Sequence, residues 1–289
     1  MLAAVREAWR PLRSQWLGET VLLSVDEGLL RGLGLRQGAI STPAWETVLP
    51  AQVLDNGMPE LEDELGDFLG DLLLSQHLMG QPVHVALPLQ AAHWRLIVWP
   101  FDEWPDAPIE ALRTIDPDLG LPFPLADAAI DLQPLPGFPL RSLLVAAPRT
   151  LVNAWSRVFE IAGAPLQRLL PAQACLRQAL LPRLQAVDPR EGILVLHPAG
   201  AGCTATLWQQ GLPLYERLFE ADDPRLADQL ARTVAYYRSR DGAFDLRQLW
   251  LTASLPRQDA LAAALRLPLE QLDCAPYASV VMQGLAQAQ

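Results

Sequence analysis

The segment Arg141-Ser-Leu-Leu-Val-Ala-Ala-Pro-Arg149 most narrows what this chain can become. Leu143–Ala147 is apolar without interruption, so it offers no polar face to water and reads as a buried strand. Pro148 ends it, because a proline holds the residue before it in an extended conformation, and a helical run follows over Leu151–Ala162. Upstream, Leu121-Pro-Phe-Pro-Leu is a proline-punctuated turn that enters another strand through Ala129-Ile-Asp131-Leu-Gln133.

The same rhythm extends in both directions. Val21–Val25, Leu29–Leu35 and Ala39–Val48 read as three strands joined by glycine turns at Gly28 and Gly38. A helix is predicted over Pro59–Met79, with Leu61, Leu65, Phe68, Leu72 and Met79 near helical spacing. Its first turn holds Glu60, Glu62, Asp63 and Glu64, as a helix dipole favours. The strand Val83–Leu87 stops at Pro88. Trp94–Trp99, a short helix Pro108–Ile115, Ala129–Leu135, Leu143–Ala147 and Leu166–Leu170 then alternate as a compact α+β subdomain.

Gln173–Ala186 is predicted as a helix interrupted at Pro182, and Ile193–Leu196 as a strand covered on both faces. Thr204–Trp208 and Pro213–Phe219 form a hairpin around Gln209-Gln210-Gly211. Leu226–Tyr237, Asp259–Leu265 and Val280–Ala288 read as helices and Gln248–Thr252 as a strand. Leu2–Trp16 has the stripe of an amphipathic helix, bent at Pro11. No internal repeat is visible, yet both halves of the chain begin with a strand–turn–strand unit.

A chain of 289 residues, half of them apolar, can bury a large core and has the make-up of a globular protein. All 22 basic residues are arginine, which excludes a phosphate-loop lysine and Schiff-base chemistry. A net charge of −11 argues against nucleic acid and against adhesion to anionic lipid, and no clustered basic face is evident. Cys175, Cys203 and Cys274 are widely spaced, so neither a disulfide framework nor a zinc site is expected, and a reduced setting fits. No run approaches the length of a membrane span, and the charged Leu2–Trp16 lacks the apolar stretch of a signal peptide.

Local motifs yield little chemistry. His77, His84 and His93 fall on a helix end, a strand and a loop, without ligand spacing. Asp67 and Asp71 read as a solvated helix face. Gly32-x-Gly34 lacks the third glycine and the helix of a dinucleotide motif. Ser24, Cys203 and His197 match no pattern of nucleophilic catalysis.

The mid-chain pair, Gly211-x-Pro213-Leu-Tyr-x-Arg217, Tyr236-Tyr237-Arg238-Ser239 and Pro276-Tyr277-Ala278 with Gly284-Leu285 together resemble PilM, the actin-fold cytoplasmic family of type IV pilus assembly. The resemblance implies an α/β, actin-like (ribonuclease H-like) two-lobed fold with an inserted α+β subdomain. Its parts would be an N-terminal amphipathic helix (1–20), a first lobe (21–88), the insert (89–170), a connecting helix of the first lobe (171–190), a second lobe (191–276) and a closing helix (277–289).

Relatives of this type hold ATP and magnesium between two hairpins, each with an Asp-x-Gly, and a later Thr-Gly-Gly makes room for adenosine. Aligned without gaps, Ser24 takes the first acidic position and Asp26 the following glycine. A slip of two residues would restore Asp26 as the acid. His197 takes the second acidic position, Ala199 its glycine, and Ala253-Ser254 follow Thr252. Asp26, Gly200, Gly202 and Thr204 are the residues left to line a nucleotide cleft. Side chains at glycine positions fill ligand space, so the resemblance implies a degenerate cleft, no required cofactor and a non-enzymatic role.

The resemblance further implies a scaffold peripheral to the inner membrane, reaching it only through partners. The partners would be the cytoplasmic tail of a PilN-like protein and the pilus motor ATPases. Trp94, Trp99, Phe101 and Trp104, at the start of the insert, are the candidate anchors for that tail. An active ATPase of the same fold, in a pilus or a type II secretion platform, is the alternative.

Overall fold

The computed structural model describes residues 18–26, 28–116, 119–199, 202–241 and 245–288. The Leu2–Trp16 helix and Gly200 therefore lie outside the described residues. The chain divides into two compact units, one reaching to Gln173 and the other running from Ala174 to Ala288.

In the first unit, β1 (Thr20–Asp26), β2 (Leu29–Arg36) and β3 (Ala39–Val48) form an antiparallel meander. A two-residue hairpin of β4 (Leu54–Asp55) and β5 (Met58–Pro59) precedes helix α1 (Glu62–Ser75). Strand β6 (Val83–Leu87) returns parallel to β1. After an insert come helix α3 (Arg149–Ile161) and β10 (Leu166–Pro171), which is parallel to β6. The sheet order is β10-β6-β1-β2-β3. Alternation along β1 sends Val21, Leu23 and Val25 into a core shared with Leu65, Leu69 and Leu73 of α1 and with Trp155, Val158 and Phe159 of α3.

The insert is a three-stranded antiparallel sheet in the order β7-β9-β8: β7 (His93–Val98), β8 (Ala128–Pro134) and β9 (Arg141–Pro148). Helix α2 (Pro108–Ile115) covers one face. Leu112 of this helix packs with Trp99, Ala128, Leu144 and Ala146 in a separate small core.

Helix α4 (Ala172–Gln185) carries the chain into the second unit. There β11 (Glu191–Ala199), β12 (Gly202–Gln209) and β13 (Leu212–Glu220) form another meander, followed by α5 (Leu226–Asp241), β14 (Asp245–Leu251), α6 (Gln258–Leu265), β15 (Leu269–Gln271) and α7 (Val280–Gln287). The β12–β13 turn is Gln210-Gly211, with φ of 53° and 72°, the left-handed pair that matches strand twist in a tight hairpin. This sheet runs β13-β12-β11-β14-β15, which repeats the first sheet strand for strand: two antiparallel pairings from the first strand outward and two parallel ones on its other side. The duplication invisible in the sequence is explicit in the topology.

Two expectations change. Helix α1 is shorter than Pro59–Met79, because Pro59 pairs with Leu54 in the β4–β5 hairpin. At its other end His77 takes φ 59°, while His77 N–H and Leu78 N–H donate to Leu74 and Leu73 carbonyls, closing the helix with Leu78 buried. Helix α4 runs through Pro182, which is exposed, because the buried stripe of Leu176, Leu180 and Leu184 continues on both sides of it. Gly32 and Gly34 lie within β2, in the strand read from Leu29–Leu35; this is an inner strand, and a Cβ on Gly32 would meet the Trp45 ring, which lies across it.

Candidate functional site

The carboxyl ends of parallel strands are where open α/β sheets place ligands, so the two hairpin tips come first. In the first, Asp26 opposes Leu29 at the end of the β1–β2 ladder, and Ser24, opposite Arg31, is buried. The Asp26 carboxylate lies 3.7 Å from Arg31, whose Nε donates to Glu46 at 2.7 Å. Asp26 thus already faces a cation of its own hairpin.

In the second, Ala199 opposes Gly202 and His197 opposes Thr204. Both hairpins close over two residues, so Ser24 and His197 occupy matching places, as do Asp26 and Ala199. His197 Nδ1 is 2.6 Å from the hydroxyl of Thr252, just beyond β14, and Thr204 and Thr252 are buried. Thr206 donates to Glu216 at 3.2 Å on the same sheet face. The tip of the second hairpin is therefore a hydroxyl–imidazole cluster, with the Glu216 carboxylate held by Thr206 on the same face.

Cys203 does not join that cluster. Alternation turns it to the opposite face, into the core with Leu194, Leu196 and Phe219. Burial pushes its thiol up to about 12, so it holds no thiolate at neutral pH. His84 and His93 are both lowered below the usual imidazole value, chiefly by burial, and His93 packs against Phe123 at 5.7 Å. Among the described residues, no group of three His, Cys, Asp or Glu side chains is arranged to hold a metal ion.

The aromatic residues of the insert divide by burial. Trp94 and Trp99 are 6 % and 3 % exposed, and Trp99 Nε1 donates to the buried Ser142 hydroxyl at 3.1 Å. Phe101 stacks on Trp99 at 6.2 Å and Trp104 meets it edge-on at 5.4 Å. These two keep 41 % and 37 % of their surface exposed. The sheet face opposite α2 carries Trp94, Leu96, Val98 and Val145, of which Val98 is 63 % exposed.

No family model matches the sequence, and neither does any curated protein. Solved structures do match. A chain of the PilM–PilN type IV pilus biogenesis complex superposes with a TM-score of 0.76 at 18 % identity, over 93 % of this chain and 98 % of that one. A Bacteroides thetaiotaomicron protein with an actin-like ATPase fold and unknown function gives 0.59 at 11 % identity, over 96 % and 98 %. The fold is actin-like. The cytoplasmic domain of EpsL, an inner-membrane component of the type II secretion system of Vibrio cholerae, gives 0.52 at 14 % identity, over 93 % of each chain.

Within this actin-like chain, the second unit also holds a feature the sequence hid. Arg217 of β13, Arg225 just before α5 and Arg232 within it surround one open cavity of about 760 Å³ with Tyr215, Asp228 and Tyr236. Spacings of eight and seven residues gave no sign of a basic cluster. The pairing of a strand with the helix packed over it assembles one. The expectation that the chain has no clustered basic face is corrected to that extent. Among the described residues, no helix is long and apolar enough to cross a membrane.

Proposed function

We propose that this protein is a cytoplasmic scaffold of type IV pilus assembly that docks the N-terminal tail of a PilN-like inner-membrane protein and does not hydrolyse ATP. The observation that carries the reading is the fold likeness to a chain of the PilM–PilN complex, nearly complete in both chains and therefore spanning the insert. The lower score of the EpsL domain favours a pilus over a type II secretion platform. Attachment to the membrane would come through the tail, and contact with the motor ATPases through the assembled platform.

The insert supports docking. Val98, Phe101 and Trp104 leave apolar surface exposed beside a firmly packed sheet, the kind of area an extended apolar segment fills. The hairpin tips support the loss of hydrolysis. Ser24 and His197 stand in matching places where carboxylates would hold magnesium, and Asp26 is engaged with Arg31.

Calorimetric titration with a synthetic PilN-like tail peptide tests the reading. We expect saturable binding, weakened roughly tenfold or more by Val98→Glu or Trp104→Ala, the loss typical of removing one anchor. A folded protein that shows no heat of binding with such a peptide would overturn it.

A further inference from the structure

We propose that the cavity between β13 and α5 is a second docking site, independent of the tail-binding reading, and that its occupant is an acidic, extended peptide segment of a partner protein. Charge is the first argument. The chain carries 33 acidic residues against 22 basic ones, yet three arginines border this one cavity. All three are exposed. Among the described residues none of them lies within ion-pair distance of a carboxylate, whereas five other arginines do. Three guanidinium groups against the single carboxylate of Asp228 leave the lining net positive, which an acidic partner complements.

Shape and chemistry select a peptide. Arg225 immediately precedes α5, its carbonyl accepting from Gln229 N–H, and Arg232 lies about two turns further along, so the two line one side of the cavity roughly 10 Å apart. A ligand must therefore carry more than one anionic group at that separation, which a single phosphate does not. Guanidinium forks grip carboxylates in a bidentate manner. Tyr215 and Tyr236 add apolar ring area for the residues between the acids.

A nucleoside polyphosphate satisfies the charge but not the walls. No glycine lines the cavity to bring backbone amides to phosphate. Along its outer side, β13 is also an edge of its sheet, where an extended segment finds main-chain partners.

The experiment uses the full chain and a fluorescein-labelled, end-blocked peptide of alternating Glu and Val, read by anisotropy. A Lys–Val peptide of equal length and MgATP serve as the other probes. We expect the Glu–Val peptide to bind and the Lys–Val peptide not to. Affinity should fall at least roughly tenfold in Arg217→Glu and in Arg232→Glu, and several-fold as salt rises from low to physiological strength. Circular dichroism of both variants should match the parent, since both side chains are exposed. Three outcomes would each overturn the proposal: no binding of the Glu–Val peptide, binding indifferent to both charge reversals, or binding of MgATP that the same reversals abolish while the peptide fails to compete. Tail-peptide binding, assayed separately with the same variants, should be unchanged, so the two docking readings stand or fall apart.

Discussion

At the scale of single residues, the insert depends on one buried polar pair. Ser142 is fully buried at the start of β9, and its hydroxyl accepts the indole N–H of Trp99 at 3.1 Å. Trp99→Phe keeps most of the ring in the small core but leaves that hydroxyl without its donor, which should cost about 1–3 kcal/mol. Ser142→Ala removes the other partner. The double variant should then lose less than the sum of the single changes, because the orphaned group is gone. Chemical unfolding of the four proteins measures this, and strict additivity would mean that the pair carries no coupling. The tryptophans of this region were visible in the sequence as a cluster, but their division was not. Which of four aromatic residues is core and which is surface depends on the pleat of β7 and on the loop beyond it, and no local spacing encodes that.

At the scale of elements, close helix contacts rest on missing side chains. Gly284 of α7 lies against the backbone of α4, where a Cβ would strike the carbonyl of Cys175. Backbone cannot swing aside as a side chain can, so Gly284→Ala must push the helices apart, with an expected loss of about 1–3 kcal/mol. A drop in urea midpoint with an unchanged slope would show it. An unchanged midpoint would mean that the helices do not approach so closely.

Gly66 of α1 plays the same part against Ile161 at the end of α3. Strands rich in apolar residues, such as β6 and β9, were legible because their composition admits little else. The β4–β5 hairpin and β15 were not, being two or three residues long with no pattern of their own. The continuation of α4 through Pro182 was equally hidden, because burial on either side outweighs one missing backbone donor.

At the scale of the whole molecule, duplication turns two local observations into one argument. Each sheet builds the same meander and the same two parallel additions, so the hairpin tips must be judged as a pair. Ser24 in one and His197 in the other are neutral or cationic where a magnesium-bound phosphate would call for anions. Nucleotide binding should accordingly contribute almost nothing to stability. A ligand present at a hundred times its dissociation constant adds about 2.7 kcal/mol to the native state, enough to raise the melting temperature of a chain this size by several degrees. Millimolar MgATP is therefore expected to shift the melting temperature by less than about 1 °C. A rise of about 5 °C that requires magnesium would mean that the chain binds nucleotide after all and that the Asp26–Arg31 contact is a pair to be displaced rather than a closed one.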